Sequence, residues 1–297
     1  MNRIRSIVFC IGAGFASMAT MAQPNDTLGK IRETGAITIG SRDNSVPFSY
    51  RVSGNSDPIG FTNEICLKIV DAVKAKLKMP NLAVRYMTLT STNRIPLIQN
   101  GTADLDCATT TNSLVRQQQV AFAPSHFVTT ITAAVKKNSG IASLADLKGK
   151  TVATVSGSTS VQLLRAYRRT ENIDVQEVSG KDTVDAFLLL ASDRAVAYVL
   201  DDVQLAALIA TSKEPADYRI LKEALRQEPY GIMFRKDDAP FKELVDQTVL
   251  GLMKSGAIDE LYAKWFMKPI PPNNLNLNFP MSDAVREAFR NPNSNGV

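Results

Sequence analysis

The stretch LTSTNRIPLIQNGTADLDCATTTNSLVR, residues 89–116, decides how this chain is read. It places Ser91, Thr92, Asn93, Arg94, Thr109, Thr110, Thr111 and Arg116 on three short elements. Ile95, Leu97 and Ile98 predict a short helix from Arg94 to Gln99, stopped at the turn signal Asn100-Gly101. Leu105 to Ala108 reads as a strand, with Thr109 to Asn112 as the polar loop at its C-terminal end. Asn112 or Ser113 can cap a new helix that carries Arg116 in its first turn. Hydroxyls and guanidinium groups donate hydrogen bonds, so two arginines among hydroxyls at a strand end suit a ligand carboxylate. Taken alone, the same residues also describe a polar turn with solvated arginines.

Working outward, strands and helices alternate on both sides of this stretch. On the N-terminal side, Leu28 to Glu33 reads as a short helix and Ala36 to Gly40 as a strand followed by a loop carrying Arg42. A long helix opens at Gly60-Phe61 and stops at Pro80, with Ile65, Ile69, Val73 and Leu77 at helical spacing. On the C-terminal side, Phe127 to Lys136 is a long β-branched run able to cross between lobes. The pattern then restarts with strands at Thr151 to Val155, Val175 to Val178 and Ala195 to Leu200, each followed by a helix. Tyr230 to Arg235 reads as a last strand before two C-terminal helices and a Pro- and Asn-rich tail. Such alternation implies α/β sheets covered by helices on both faces. Two runs joined by extended segments near 127–136 and 230–235 imply two lobes, a double crossover acting as hinge, and a ligand cleft between them.

Composition is consistent with this. The chain has 297 residues, 44% hydrophobic and 21% charged, enough for about two globular domains at ~150 residues each. Residues 1–22 read as a secretory signal peptide: Arg3 and Arg5, an apolar run from Ile7 to Ala19, and small residues before a cut after Ala22. The net charge of +5 falls to +3 when Arg3 and Arg5 leave with that segment, too little to argue for nucleic acid. Cys66 and Cys107 then remain, on separate elements, and the favoured reading is two buried free thiols. A single histidine, His126, argues against a His-based metal site or a Ser-His-Asp triad.

Three local motifs need weighing. Gly149-Lys150-Thr151 imitates the end of a phosphate-binding loop, but Leu144 stands where that loop needs its first glycine, and a strand follows instead of a helix. Ser156-Gly157-Ser158-Thr159 introduces a helix whose amides can receive an anion, or is a plain capped start. Asp201-Asp202 ends an apolar strand, where one carboxylate can pair with a ligand ammonium while the other caps the next helix. Arg42, Ser91, Arg94, Thr109, Thr111, Arg116, Ser158 and Asp201 all lie at or beyond strand ends, on both lobes.

At this point the chain resembles a known family. GSRDNSVPFSY, GFTNEI, the 89–116 stretch, LADLKGKTVATVSGSTS, RAVAYVLDD and WFMKPIPPNNLNLNF follow a signal peptide in the order found in periplasmic solute-binding proteins of amino-acid ABC transporters. The branch it is most similar to is the glutamate/aspartate-binding proteins, and the likeness covers essentially the whole mature chain. The resemblance implies a two-lobed periplasmic-binding-protein fold of type II, with lobe 1 at 23–131 plus 232–297, lobe 2 at 132–231, and a two-strand hinge. It implies a periplasmic monomer that needs no cofactor or metal, binds no nucleic acid, and delivers L-glutamate or L-aspartate to an inner-membrane ABC permease. Arg116, Thr111 and the Ser158-Thr159 turn would hold the α-carboxylate; Asp201, Thr109 and Thr111 the ammonium; Arg42, Arg94 and Ser91 the side-chain carboxylate. Three arginines against one aspartate give a site charge of +2, suited to an acidic ligand.

The chain departs from its relatives at three places. Thr183 stands near the side-chain carboxylate where relatives often place a histidine, and Val155 replaces a threonine. The segment Pro229 to Ile232 lacks the cysteine that some relatives pair with the residue matching Cys107, in keeping with a free thiol there. The alternatives are an exported enzyme on the same fold, similar to cyclohexadienyl dehydratase, a receptor for another polar amino acid or dicarboxylate, and a protein that presents its ligand to a sensor.

Overall fold

A computed structural model describes residues 26–54 and 56–297, so the signal-peptide reading of 1–22 lies outside the described residues. In chain order the strands begin with β1 (Ala36–Ser41), β2 (Asn44–Ser45), β3 (Ser49–Tyr50), β4 (Ala83–Thr88), β5 (Leu105–Asp106) and β6 (Val120–Phe122). They continue with β7 (Phe127–Lys136), β8 (Thr151–Val155), β9 (Gln176–Gly180) and β10 (Ala197–Asp201). The last three are β11 (Tyr218–Ile220), β12 (Arg226–Tyr230) and β13 (Met233–Arg235). The helices of the N-terminal half are α1 (Thr27–Thr34), α2 (Phe61–Leu77), α3 (Arg94–Gln99) and α4 (Leu114–Gln117). Those that follow are α5 (Thr159–Thr170), α6 (Thr183–Ala191), α7 (Asp202–Ala210), α8 (Ala239–Ser255), α9 (Ala257–Phe266) and α10 (Asp283–Arg290).

Two sheets result. One runs β4-β1-β5-β13-β6, the other β11-β7-β10-β8-β9 with β12 paired to β7. Parallel pairs at one edge of each, β1 with β4 and β8 with β9, need helical crossovers, which α2 and α5 supply. The expected α/β two-lobed architecture is therefore the observed one. The two sheets are joined by β7 and β12, which pair antiparallel from Phe127↔Tyr230 to Ile131↔Arg226. The second crossover thus lies at 226–230, earlier than the sequence suggests, and β13 belongs to the first sheet. Pro229 and three polar neighbours hid it. Proline lacks a ladder donor, so such a run reads as a loop unless it lies at a sheet edge, and β12 lies at the edge beside β7, with one isolated bridge from Tyr230 to Thr111.

Both joining strands meet the core of the first lobe. Phe48, from the turn between β2 and β3, meets Phe127 edge-on at 4.9 Å and Tyr230 at 5.5 Å. Gly60 (φ 132°) lets the N-terminus of α2 approach this loop, since a β-carbon there would lie 2.3 Å from the Phe48 carbonyl oxygen.

One expectation is overturned. Cys66 and Cys107 are not free thiols but form a disulfide, with 6.2 Å between their α-carbons. Helix α2 packs across the sheet so that its buried face, carrying Cys66, meets the end of β5, and both cysteines are fully buried. The partner is on α2, so the missing cysteine near Pro229 is irrelevant to the state of Cys107. The bond closes a loop spanning 41 residues. Chain-entropy arguments assign about 4 kcal/mol to such a closure. Replacing both cysteines by alanine is expected to lower Tm by roughly 10 °C in calorimetry. A variant melting with the parent protein would show that the link contributes no net stability.

Candidate ligand-binding site

The cleft is built where strands end. Arg42 follows β1, Ser91 and Arg94 follow β4, and Thr109 and Thr111 follow β5; from the second sheet come Ser158 and Thr159 after β8, Thr183 after β9 and Asp201 closing β10. All nine line one cavity of about 100 Å³, where one water needs roughly 10–15 Å³ on the same measure. That space suits a single amino acid. The lobes meet across it: a β-carbon on Gly157 would stand 2.9 Å from the Ser91 backbone, and Thr111 Oγ1 lies 3.5 Å from Thr159 Oγ1.

Arg116 is the exception among the predicted site residues. It does not line the cavity but stands behind it on α4, with Nη1 donating to the Thr111 carbonyl at 2.8 Å. Ser113, one of the two expected caps, accepts from the Arg116 amide. Asp202 does not act as the expected helix cap alone. Its carboxylate ties α7 to the joining strand β7, accepting from the Thr129 hydroxyl and the Thr130 amide.

The electrostatics are dominated by buried cations. Arg42 gives Nη1 to the Leu89 carbonyl and Arg94 gives Nη1 to the Thr110 hydroxyl, while both Nε atoms are buried without a partner. Among the described residues none of Arg42, Arg94 and Arg116 forms an ion pair. Burial, then the charge of Arg94, pushes the Arg42 guanidinium down to about 10 and Arg116 down to about 9. Burial lowers Arg94 as well, opposed by Asp106 and Asp201. An unpaired buried guanidinium is expensive. A ligand anion supplies the missing partner.

The opposite charge is also present. Burial, followed by the charge of Glu228, raises the Asp201 carboxyl from 3.8 to about 7, against a stabilising hydrogen bond from Tyr230. Gln204 Nε2 donates to Asp201 Oδ2 at 2.9 Å. Ser158 begins α5 but makes no side-chain cap, and its buried hydroxyl has no partner, so it is free for a ligand.

Sequence reasoning missed Asp106, Gln204 and Glu228. Asp106 accepts from the Thr110 hydroxyl behind Arg94. Glu228 is fully buried on β12, pairs with Arg226, and accepts from Thr111 and Thr159. The charge count of +2 is corrected accordingly. Arg226 and Glu228 cancel; Arg42, Arg94 and Arg116 against Asp106 and Asp201 leave +1. A monoanionic ligand brings that to neutrality.

Two α/β lobes around a small cleft that carries buried cations without ion pairs and, among its lining residues, the buried carboxylate of Asp201 define a receptor for a small zwitterionic or anionic solute. Residues 37–268 match the bacterial extracellular solute-binding proteins, family 3, and the chain belongs to that family. It is 44% identical over 266 residues to the L-glutamate/L-aspartate-binding protein of Pseudomonas aeruginosa, covering 90% of this chain and 88% of that one. It is 40% identical to the glutamate/aspartate import solute-binding protein of Escherichia coli, covering 98% and 96%. Among solved structures it is similar to an ancestral amino acid-binding protein, a precursor of cyclohexadienyl dehydratase, with TM-score 0.69 and 25% identity over 81% of this chain and 99% of that one.

Proposed function

We propose that the protein captures L-glutamate or L-aspartate in the periplasm and delivers it, as a monomer, to an inner-membrane ABC permease. The observation that carries this reading is the pair of buried, unpaired guanidinium groups of Arg42 and Arg94 in a cleft of amino-acid size. Arg42, Arg94 and Ser91 take the side-chain carboxylate. The free Ser158 hydroxyl and the turn into Thr159 take the α-carboxylate, with Arg116 adding positive charge from behind Thr111, and Asp201 with Thr109 and Thr111 takes the ammonium. Thr183 and Val155 border the cavity and shape the choice between the two acids. Lobes 23–131 plus 232–297 and 132–231 close by bending at β7 and β12, because only the closed form satisfies ligand groups on both sides. Residues 1–22 direct export and are removed.

The test is a thermal-shift screen of ligand-stripped protein against L-Glu, L-Asp, L-Gln and L-Asn. At 1,000 times its Kd a ligand adds about 4 kcal/mol, roughly 10 °C here. Large shifts with the two acids and none with their amides are expected; a shift with L-Gln equal to that with L-Glu would refute the acidic reading.

A second reading rests on Asp201, since a cleft carboxyl raised to about 7 is also suited to general acid–base work. In the binding reading that carboxylate is engaged by the ammonium, and bound ligand is recovered chemically unchanged. Conversion of a carboxylated cyclohexadienyl substrate during incubation would favour the enzyme.

A further inference from the structure

Helix α4 is a single turn of four residues, of which only Arg116 is buried; Leu114 and Val115 are each 61% exposed. A helix this short is not stable through its own backbone bonds, so its support must come from other parts of the chain. It bears directly on the cleft, because Thr111 precedes it and the Arg116 guanidinium returns to the Thr111 carbonyl. On one side the Asn112 amide donates to the Pro229 carbonyl of β12 at 2.8 Å. On the other side lie residues 291–297. They follow α10, whose Val285 and Phe289 are buried in the core of the first lobe, and pass the start of β7, where the Ser125 amide donates to the Asn293 carbonyl at 2.9 Å. They then run along the 112–114 backbone. The Leu114 amide donates to the Val297 carbonyl at 3.0 Å, and the Val297 amide to the Asn112 carbonyl at 3.2 Å. Asn112 Nδ2 and Gln117 Nε2 each donate to the Ser294 carbonyl at 2.9 Å. Gly296 permits this approach: a β-carbon there would stand 2.9 Å from the Leu114 nitrogen and the Ser113 carbonyl carbon.

We propose that residues 291–297 are a positioning strap that, through Asn112, Gln117 and Gly296, holds the Thr111–Arg116 segment in its ligand-ready arrangement. The proposal rests on the amino-acid-binding reading above and adds the part of the chain that keeps the site assembled. None of residues 291–297 lines the cavity, so the strap acts on affinity without touching the ligand. With the strap displaced, α4 frays, and affinity falls with the fraction of molecules that keep the segment ordered.

Gly296→Ala in the full chain tests this, because the added methyl group forces the strap off the 113–114 backbone. Asn295→Ala, at an exposed side chain of the same segment, is the control. Calorimetry and stopped-flow binding with L-glutamate would be combined with hydrogen exchange of peptides covering residues 112–117. The expected result for Gly296→Ala is a Kd about tenfold higher, matching an ordered fraction of about one-tenth. The loss should lie in slower association with dissociation unchanged, and exchange at 112–117 should be faster, while Asn295→Ala matches the parent. Gln117→Ala removes a bond to the Ser294 carbonyl from the opposite side and should shift Kd and exchange in the same direction. It also decides the matter should Gly296→Ala not fold. A lowered Tm with the parent's Kd and association rate would overturn the proposal and leave the segment as packing alone. Failure of the parent protein to bind L-glutamate or L-aspartate would instead reject the function on which the proposal rests. The exchange comparison needs no ligand, and parent-like exchange at 112–117 in both variants would overturn the strap by itself.

Discussion

Arg94→Ala is expected to lower affinity for L-glutamate and L-aspartate by about 10²- to 10³-fold, while a neutral amino acid that the parent binds weakly loses far less. The magnitude follows from the environment of the charge. Breaking a buried ion pair costs ~3–5 kcal/mol, because the surviving partner stays desolvated and unpaired. In the variant that partner is the ligand's side-chain carboxylate, facing Arg42 alone. Arg94 also donates to Thr110, which in turn donates to Asp106, so its loss removes a cation that faces the buried Asp106 carboxylate. Arg94→Lys would keep the charge and lose the planar fork, and should fall between the two. The measurement is isothermal calorimetry with L-Glu, L-Asp and L-Gln. Equal, small losses for all three would move the side-chain carboxylate away from Arg94.

Asp201→Asn is expected to reduce L-glutamate binding by about 10²-fold, by removing the counter-charge of the ammonium in a buried site. Its second consequence is a change in pH dependence. In the free protein burial holds the Asp201 carboxyl up at about 7, so below that pH it carries a proton that an arriving ammonium must displace. Affinity of the parent should therefore fall as pH drops from 7 toward 5, by up to about tenfold per unit. The stability sign agrees. A raised carboxyl contributes stability that is fully present below its ordinary value of 3.8 and is lost as pH rises through about 7. Ligand restores what is lost, so the ligand-induced rise in Tm should be larger at pH 8 than at pH 5. The amide that replaces the carboxyl in the Asp201→Asn variant does not titrate, and there that difference should vanish. A parent Kd that stays flat across this range would separate Asp201 from the ammonium.

Much of this site is legible because strand ends announce themselves. Ser91-Thr92-Asn93-Arg94 and Thr109-Thr110-Thr111 are polar runs bounded by apolar ones, and residues that leave a strand at its C-terminal end in an α/β sheet converge on one crevice. Helix α3 is observed over Arg94–Gln99, as the apolar spacing and Asn100-Gly101 require. Arg116 was legible as a pocket candidate but not as a buried arginine standing behind Thr111. Sequence spacing orders residues along the chain and does not rank them by depth.

What escaped the sequence escaped for the same physical reason in each case. The Cys66–Cys107 disulfide joins a helix face to a strand end across 41 residues, and neither position carries a local signal of the other. Glu228 sits between Gln227 and Pro229 in a run whose local preference is for a loop, and pairing with β7 overrides it. The sequence alone determined the alternation of strands and helices, the small excess of basic charge, and the clustering of arginines and hydroxyls at strand ends. These depend on neighbours a few residues apart. Tertiary structure alone decided which charges are buried without partners, which cysteines meet, and which way the threonine hydroxyls point. Those properties depend on groups brought together from distant parts of the chain, and desolvation and hydrogen-bond direction exist only once they have met.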